Sequence, residues 1–366
     1  MRRIVLLIGL LLAACTHDPA SQKLEVINRH KLPEPKIEFL GVGGWLLHWK
    51  GEGLLLPPFF SHPAGFGIEG IPPLTVVADT TRIDKYMDSP QPDVTMVLVG
   101  HAHYDHLLDL AHLRQRFLPN PKLRIYGSET VAHLLRSSLV YPSDIVVPGR
   151  AQISDRNNPA YRGTWFYSSH EQLRDGDDPR SLPKGPPRGR IRAMPLESMH
   201  APHKFGVNFL QGAYDHDPWP LPTATVNWRL GHKTLAWVID LLDDDGQPAY
   251  RIHYQDSASD PPWGFPPVIA DSKGFDVAII CAASSDKVGY YPTGLLRVIK
   301  PRLVLVGHWE NFFGGELQEP EGRKPEFKAR TIPLQKYDQL VDDLKKSGYP
   351  YHTLEPLSEI ALPAPR

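Results

Sequence analysis

The sequence predicts an α/β chain in four layers, αββα, with two β-sheets packed face to face and helices outside. Three observations lead there. Apolar strands come in two batches, each followed by helical segments. The 366 residues are 41% apolar and 22% charged, an ordinary globular balance with enough apolar residues for a sizeable core. The 38 prolines and 29 glycines mark long, turn-rich connections rather than long helices.

The elements follow in order. Ile37–Trp49 reads as one strand with a glycine bend, Gly51-Glu52-Gly53 as a turn, and Leu54-Leu55-Leu56 as the start of the next strand. Residues 57–73 form a loop rich in Pro, Gly and Phe. Val94–Val99 is a compact buried strand, and Leu107–Phe117 has helical spacing, with Leu110, Leu113 and Phe117 on one side. Leu123–Tyr126 is a short strand, and Ser128 is placed to start a helix. Residues 157–190 are long, polar and aperiodic, an insertion that either covers a cleft or lies idle on the surface. Ile191–Leu196 is a strand, and Ala224–Leu230 with Thr234–Leu242 reads as a hairpin across Gly231-His232-Lys233. Tyr250–Tyr254, Phe275–Cys281 and Leu303–Val306 are further strands, and Tyr337–Ser347 is the last helix. The fold is expected to occupy residues 36–363.

The N-terminus reads as an address. Arg2 and Arg3 precede the apolar run Ile4–Leu12, which is too short to span a membrane, and Leu12-Ala13-Ala14-Cys15 follows. That ending resembles a bacterial lipobox. The resemblance implies a signal peptide over 1–15, lipidation of Cys15, and attachment to a Gram-negative envelope membrane on its periplasmic face. Thr16 in place of an aspartate is similar to outer-membrane lipoproteins. Residues 16–35 read as a tether. The other cysteine, Cys281, lies in an apolar run and reads as a buried structural thiol. Lys plus Arg number 40 against 41 Asp plus Glu, so the net charge of −1 gives no electrostatic reason to expect nucleic acid.

The chemistry concentrates in Gly100-His101-Ala102-His103-Tyr104-Asp105-His106, directly after the Val94–Val99 strand. Loops after buried strands are where α/β folds place ligands. Three imidazoles and a carboxylate within six residues would be wasted in a core but suit divalent cations as N/O ligands. His101 and His103 alternate and can point one way, while Asp105 and His106 can face a second ion. No Gly-x-Ser-x-Gly elbow is present.

His-x-His-x-Asp-His resembles the signature of the metallo-β-lactamase superfamily. Three later strand ends resemble the rest of its pattern: Ile191–His200, Tyr250–Ser257 and Leu303–Trp309. The resemblance implies that His101, His103 and His200 hold one metal, that Asp105, His106 and His308 hold the other, and that Asp256 bridges them. His203 competes with His200, which comes first after its strand. Asp240 competes with Asp256 but lies inside an apolar strand. Relatives often carry Asp where Pro57 stands, and Asp79 is the alternative equivalent.

By the same resemblance the cofactor is two divalent ions, zinc first with manganese or iron as alternatives, sharing a hydroxide that Asp105 and Asp256 help to hold. Tyr104 and His203 are candidate substrate contacts. His-x-His-Tyr-Asp-His-Leu is closest in form to the N-acylphosphatidylethanolamine phospholipase D and sugar-lactone lactonase branch. A phosphodiesterase or a lactone/ester hydrolase acting on a small-molecule or lipid substrate is therefore implied. The alternatives are a catalytically silent metal-binding envelope lipoprotein and a diiron redox protein.

Overall fold

The computed structural model describes residues 26–158, 162–168, 189–203, 210–314, 317–318, 326–327 and 334–365. The expected signal, Cys15, the first ten tether residues and most of the 157–190 insertion lie outside them. Among the described residues no helix is long and apolar enough to cross a membrane.

The strands, in chain order, are β1 (Val26–Ile27), β2 (Lys36–Gly41), β3 (Gly44–Trp49), β4 (Glu52–Leu56), β5 (Val94–Leu98), β6 (Arg124–Tyr126), β7 (Ile145–Val146) and β8 (Phe166–Tyr167). They continue with β9 (Ile191–Ser198), β10 (Thr234–Leu242), β11 (Pro248–Tyr254), β12 (Val277–Cys281), β13 (Leu303–Gly307), β14 (Leu317–Gln318), β15 (Glu326–Phe327), β16 (Tyr351–Leu354) and β17 (Ser358–Ala361). The helices are α1 (Thr80–Tyr86), α2 (Tyr104–Leu107), α3 (Leu110–Arg116), α4 (Glu129–Ser137), α5 (Thr293–Ile299) and α6 (Leu334–Ser347). One sheet runs β17-β2-β3-β4-β5-β6-β7 and the other β1-β16-β13-β12-β11-β10-β9-β8.

Side-chain alternation builds the layers. Along β10, Leu235, Trp237, Ile239 and Leu241 enter the core between the sheets, while Ala236, Val238 and Leu242 face outward beneath Trp165. Along β4, Leu54 and Leu56 face the same inter-sheet core and Leu55 turns to the helices. Ile83 of α1, Leu110 and Leu113 of α3, and Val131, Leu134 and Leu135 of α4 cover that outer face. Helices α5 and α6 pack at the other sheet through Leu296 and Leu344. The architecture is thus the expected αββα sandwich.

Several expectations are corrected. Ile37–Trp49 is a hairpin, not one bent strand: Gly41 (φ 98°) and Val42 (φ 53°) turn left-handed, and Gly41 pairs with Gly44. Ala224–Leu230 does not pair with β10, because β9 and β11 already occupy both edges of β10. That stretch holds a 3₁₀ turn, Thr225–Asn227, and bridges to Thr75. The 107–117 helix begins earlier, at Tyr104 inside the motif, and is interrupted before Leu110. Strand β8 lies within the insertion. The C-terminal strands β16 and β17 join different sheets. The end of the expected tether is docked: Val26 and Ile27 pair with β16, and Glu359 N–H donates to Arg29 O at 2.7 Å.

Candidate metal centre

Strands β9 and β11 both run antiparallel to β10, and β11, β12 and β13 are parallel. The carboxyl ends of β9, β11 and β13 therefore share one edge of their sheet, which is where His200, Asp256 and His308 emerge. The loop after β5 meets them from the other sheet. Leu235 N–H donates to Gly100 O at 2.7 Å and Ala102 N–H to Leu230 O at 3.3 Å, so both sides of His101 are pinned by the backbone at the start of β10 and just before it.

The seven expected side chains are brought together. Ligand atoms of His101, His103 and His200, of His101, His106 and Asp256, and of Asp105, His106 and His308 lie within 4.8 Å of one another in each group. His101 Nδ1 is 3.2 Å from Asp256 Oδ1, and His106 Nδ1 is 3.6 Å from Asp256 Oδ2. His308 Nε2 is 3.2 Å and His106 Nε2 3.4 Å from Asp105 Oδ2. All but His200 are buried.

A cation pair fits this set. Among the described residues, His101 Nε2, His103 Nε2, His106 Nε2, His308 Nδ1 and Asp256 Oδ2 are buried without a hydrogen-bond partner. Orphaned buried polar atoms are uncommon, and five in one cluster point to a missing electrophile. His200 Nδ1 lies 2.6 Å from Ala201 O, an acceptor only, so Nδ1–H donates and Nε2 keeps its lone pair.

Electrostatics agree for His103, His106, His200, Asp105 and Asp256, with His101 the exception. Burial, reinforced by His101, holds His103 well below the usual imidazole range, and burial with His103 does the same to His200. Burial lowers His106 to about 4. Burial opposes ionisation of Asp105, but His106 and His308 outweigh it and hold the carboxyl well below its ordinary range. Asp256 is likewise lowered, with His101 and His106 overcoming burial. Burial also works against charge on His101, yet Asp256 raises it. Neutral imidazoles and ionised carboxylates are the forms that ligate.

The competing candidates separate by position. His203 stacks on His200 with ring centroids 4.9 Å apart and is half-buried. Asp240 lies on the far face of its sheet, bonded to Arg192 Nη2 at 2.6 Å and Arg251 Nε at 2.7 Å. Asp79 is exposed and caps α1 by accepting from Arg82 N–H at 3.1 Å, so it supports no ligand. Tyr104 is buried against Phe59, centroids 5.6 Å apart.

Other supporting residues escape a one-dimensional reading. A Cβ on Gly43 would sit 2.7 Å from His106 Nδ1. His308 adopts φ 52°, and its N–H donates to Val42 O at 2.7 Å while Val42 N–H donates to Glu310 Oε1 at 2.8 Å. Asp109 accepts from Phe60 N–H at 2.6 Å, from Ser61 N–H at 2.9 Å and from the Ser61 hydroxyl, holding the 57–62 loop. The one available signal was Glu310, a carboxylate three residues past the end of the apolar strand β13.

Residues 77–163 match the Beta-lactamase superfamily domain. The matched stretch carries the whole His101–His106 motif. A comparison with curated proteins finds no match. Among solved structures, the chain is similar to Igni18, a metallo hydrolase from the archaeon Ignicoccus hospitalis KIN4/I, at 12% identity and TM-score 0.44, over 89% of this chain and 97% of that one. It is similar to the metallo-β-lactamase fold protein YhfI from Bacillus subtilis at 13% identity and TM-score 0.42, over 89% and 98%. It is also similar to CmlA, a diiron β-hydroxylase from Streptomyces venezuelae, at 13% identity and TM-score 0.46, over 91% of this chain but 55% of that one.

Proposed function

We propose that this chain is a metal-dependent hydrolase of a phosphodiester or a lactone/ester, working with two divalent cations, zinc by donor type. The observation that carries the reading is the cluster of five buried ligand atoms on His101, His103, His106, His308 and Asp256 that have no hydrogen-bond partner among the described residues. His101, His103 and His200 would hold one cation, Asp105, His106 and His308 the other, and Asp256 would face both. When bound, such a pair acidifies water near neutral pH and polarises a carbonyl or phosphoryl oxygen.

The chain's own groups supply placement and proton handling. Asp105 and Asp256 stay ionised beside the imidazoles and are poised to accept a hydrogen bond from, and so orient, a neighbouring water. His203, half-buried on the open side of His200, is positioned to meet a substrate or its leaving group. Tyr254 Oη–H donates to Gly43 O at 2.9 Å, closing the floor below His106. We further propose attachment to the envelope membrane through Cys15, on the strength of the Leu-Ala-Ala-Cys ending, which suits a lipid or envelope substrate.

The test is metal content together with a panel of bis(p-nitrophenyl) phosphate, simple lactones and nitrocefin, on wild type and Asp105→Ala. About two metals per chain with turnover of one class, lost in the variant, is the expected result. Two metals with no turnover of any substrate would move the chain to the silent metal-binding reading. Cys15→Ala should release the protein from the membrane fraction; continued sedimentation with membranes would refute the anchor.

A further inference from the structure

A cavity of about 710 Å³ lies beside the metal loop and outside the seven-residue cluster. Its charged and imidazole lining comprises His133 and Arg136 of α4, Arg150, His232, Lys233 and one carboxylate, the exposed Glu129. Val147, Ile153 and Leu235 add an apolar wall. The volume is that of a small-molecule site.

Two of the three permanent cations are already paired. Arg136 pairs with Asp217 at 2.9 Å, and Arg150 pairs with Asp155 and, at 2.9 Å, with Glu197. None of those three carboxylates lines the cavity. Lys233, half-buried, makes no hydrogen bond or ion pair with the described residues, although the charge of Glu197 reaches it. Among the lining's permanent cations Lys233 is therefore the one without an ion pair among the described residues, and an anion entering beside it meets a charge that no contacting carboxylate cancels. The cavity also shares a wall with the metal loop. Leu235, which lines it, donates its N–H to Gly100 O, one residue before His101.

We propose that this cavity binds a small organic anion, a phosphate or carboxylate group on an apolar body, with Lys233 as the principal contact. The anion is either a free ligand or the anionic end of the substrate; only the second source rests on the hydrolase reading.

The probe is phenyl phosphate, titrated calorimetrically into the full chain as purified and after chelation, with folding checked by circular dichroism. Chelation removes any binding through metals. Saturable binding that weakens with salt is expected, at least tenfold weaker in Lys233→Glu and tighter in Glu129→Gln. Should chelation unfold the chain, the same comparison on the as-purified protein decides. Equal affinity in Lys233→Glu and wild type, or no binding, overturns the proposal.

The source is then read from kinetics. If Lys233→Glu raises KM for mono-p-nitrophenyl succinate but not for neutral p-nitrophenyl butyrate, the anion belongs to the substrate. If both KM values hold while phenyl phosphate binding is lost, it is a free ligand. Absence of all turnover would remove the hydrolase reading yet leave the binding result standing.

Discussion

A Cβ placed on Gly100 would lie 2.1 Å from Asp256 Oδ2, so the residue before His101 is a glycine because the Asp256 carboxylate occupies its side-chain space. Gly100→Ala must push Asp256 away from His101 and His106. Since Gly100 is a supporting residue and not a ligand, the expected loss in metal affinity is roughly 10–100-fold, with the fold retained. Competition against a chromophoric chelator measures it. An alanine variant that binds metal as tightly as wild type would show that Asp256 does not act from its observed place.

His200 and His203 are separated by what each touches. His200 groups with His101 and His103 and directs Nδ1 to Ala201 O, whereas His203 stacks on its outer side. His200→Ala is expected to lose about one metal per chain, and His203→Ala to keep both while KM rises. Elemental analysis of the two purified variants decides, and metal loss in His203→Ala alone would reverse the assignment.

The site was more legible than its supports. Alternation of His101 and His103 after an apolar strand, with Asp105 and His106 next, is a local pattern, and three later strand ends each offered a ligand type. The structure brings those residues together. Gly43, Gly100 and Val42 matter only through contacts across 63 to 268 positions of chain, which no window of sequence displays. The 224–230 stretch misled because its alternation suits a strand, whereas both edges of β10 were already taken. Strands β16 and β17 are four residues each, too short for periodicity to speak, and only their partners define them.

The loop over 57–62 depends on one buried carboxylate. Asp109 accepts the N–H groups of Phe60 and Ser61 and the Ser61 hydroxyl. Asp109→Ala leaves those buried donors unanswered, at a cost of about 1–3 kcal/mol. Thermal unfolding should show the loss, and Phe59, which the loop seats against Tyr104, should shift with it. An unchanged melting temperature would mean that water replaces the carboxylate.

Asp240 and Asp256 should fail in opposite ways. Asp240 is fully buried between Arg192 and Arg251; Asp240→Ala leaves buried Arg192 with Asp271 at 3.9 Å as its nearest carboxylate among the described residues, while Arg251 keeps Asp271 at 2.8 Å, and is expected to cost about 3 kcal/mol. The folded fraction should still bind metal normally. Asp256→Ala should lose metal while relieving, not creating, buried charge. Denaturant midpoints beside metal stoichiometry test the contrast, and metal loss in a folded Asp240→Ala protein would contradict it.

Glu38 provides a pH dependence away from the metals. It stands directly opposite Glu359 where β2 pairs with β17. Burial first and then Glu359 raise its carboxyl from 4.5 to about 7, with Lys36 and His48 opposing in part. A carboxyl raised on folding favours the native state while protonated. Its contribution is full below its unfolded value and is lost as pH rises through about 7. Glu38→Gln removes that loss, so the variant should be the more stable protein at pH 8.5, on the order of 1 kcal/mol after solvent screening. The gap should shrink towards pH 5. A melting-temperature difference that stays constant across this range would show that Glu359 and Glu38 do not share the strain of one buried charge.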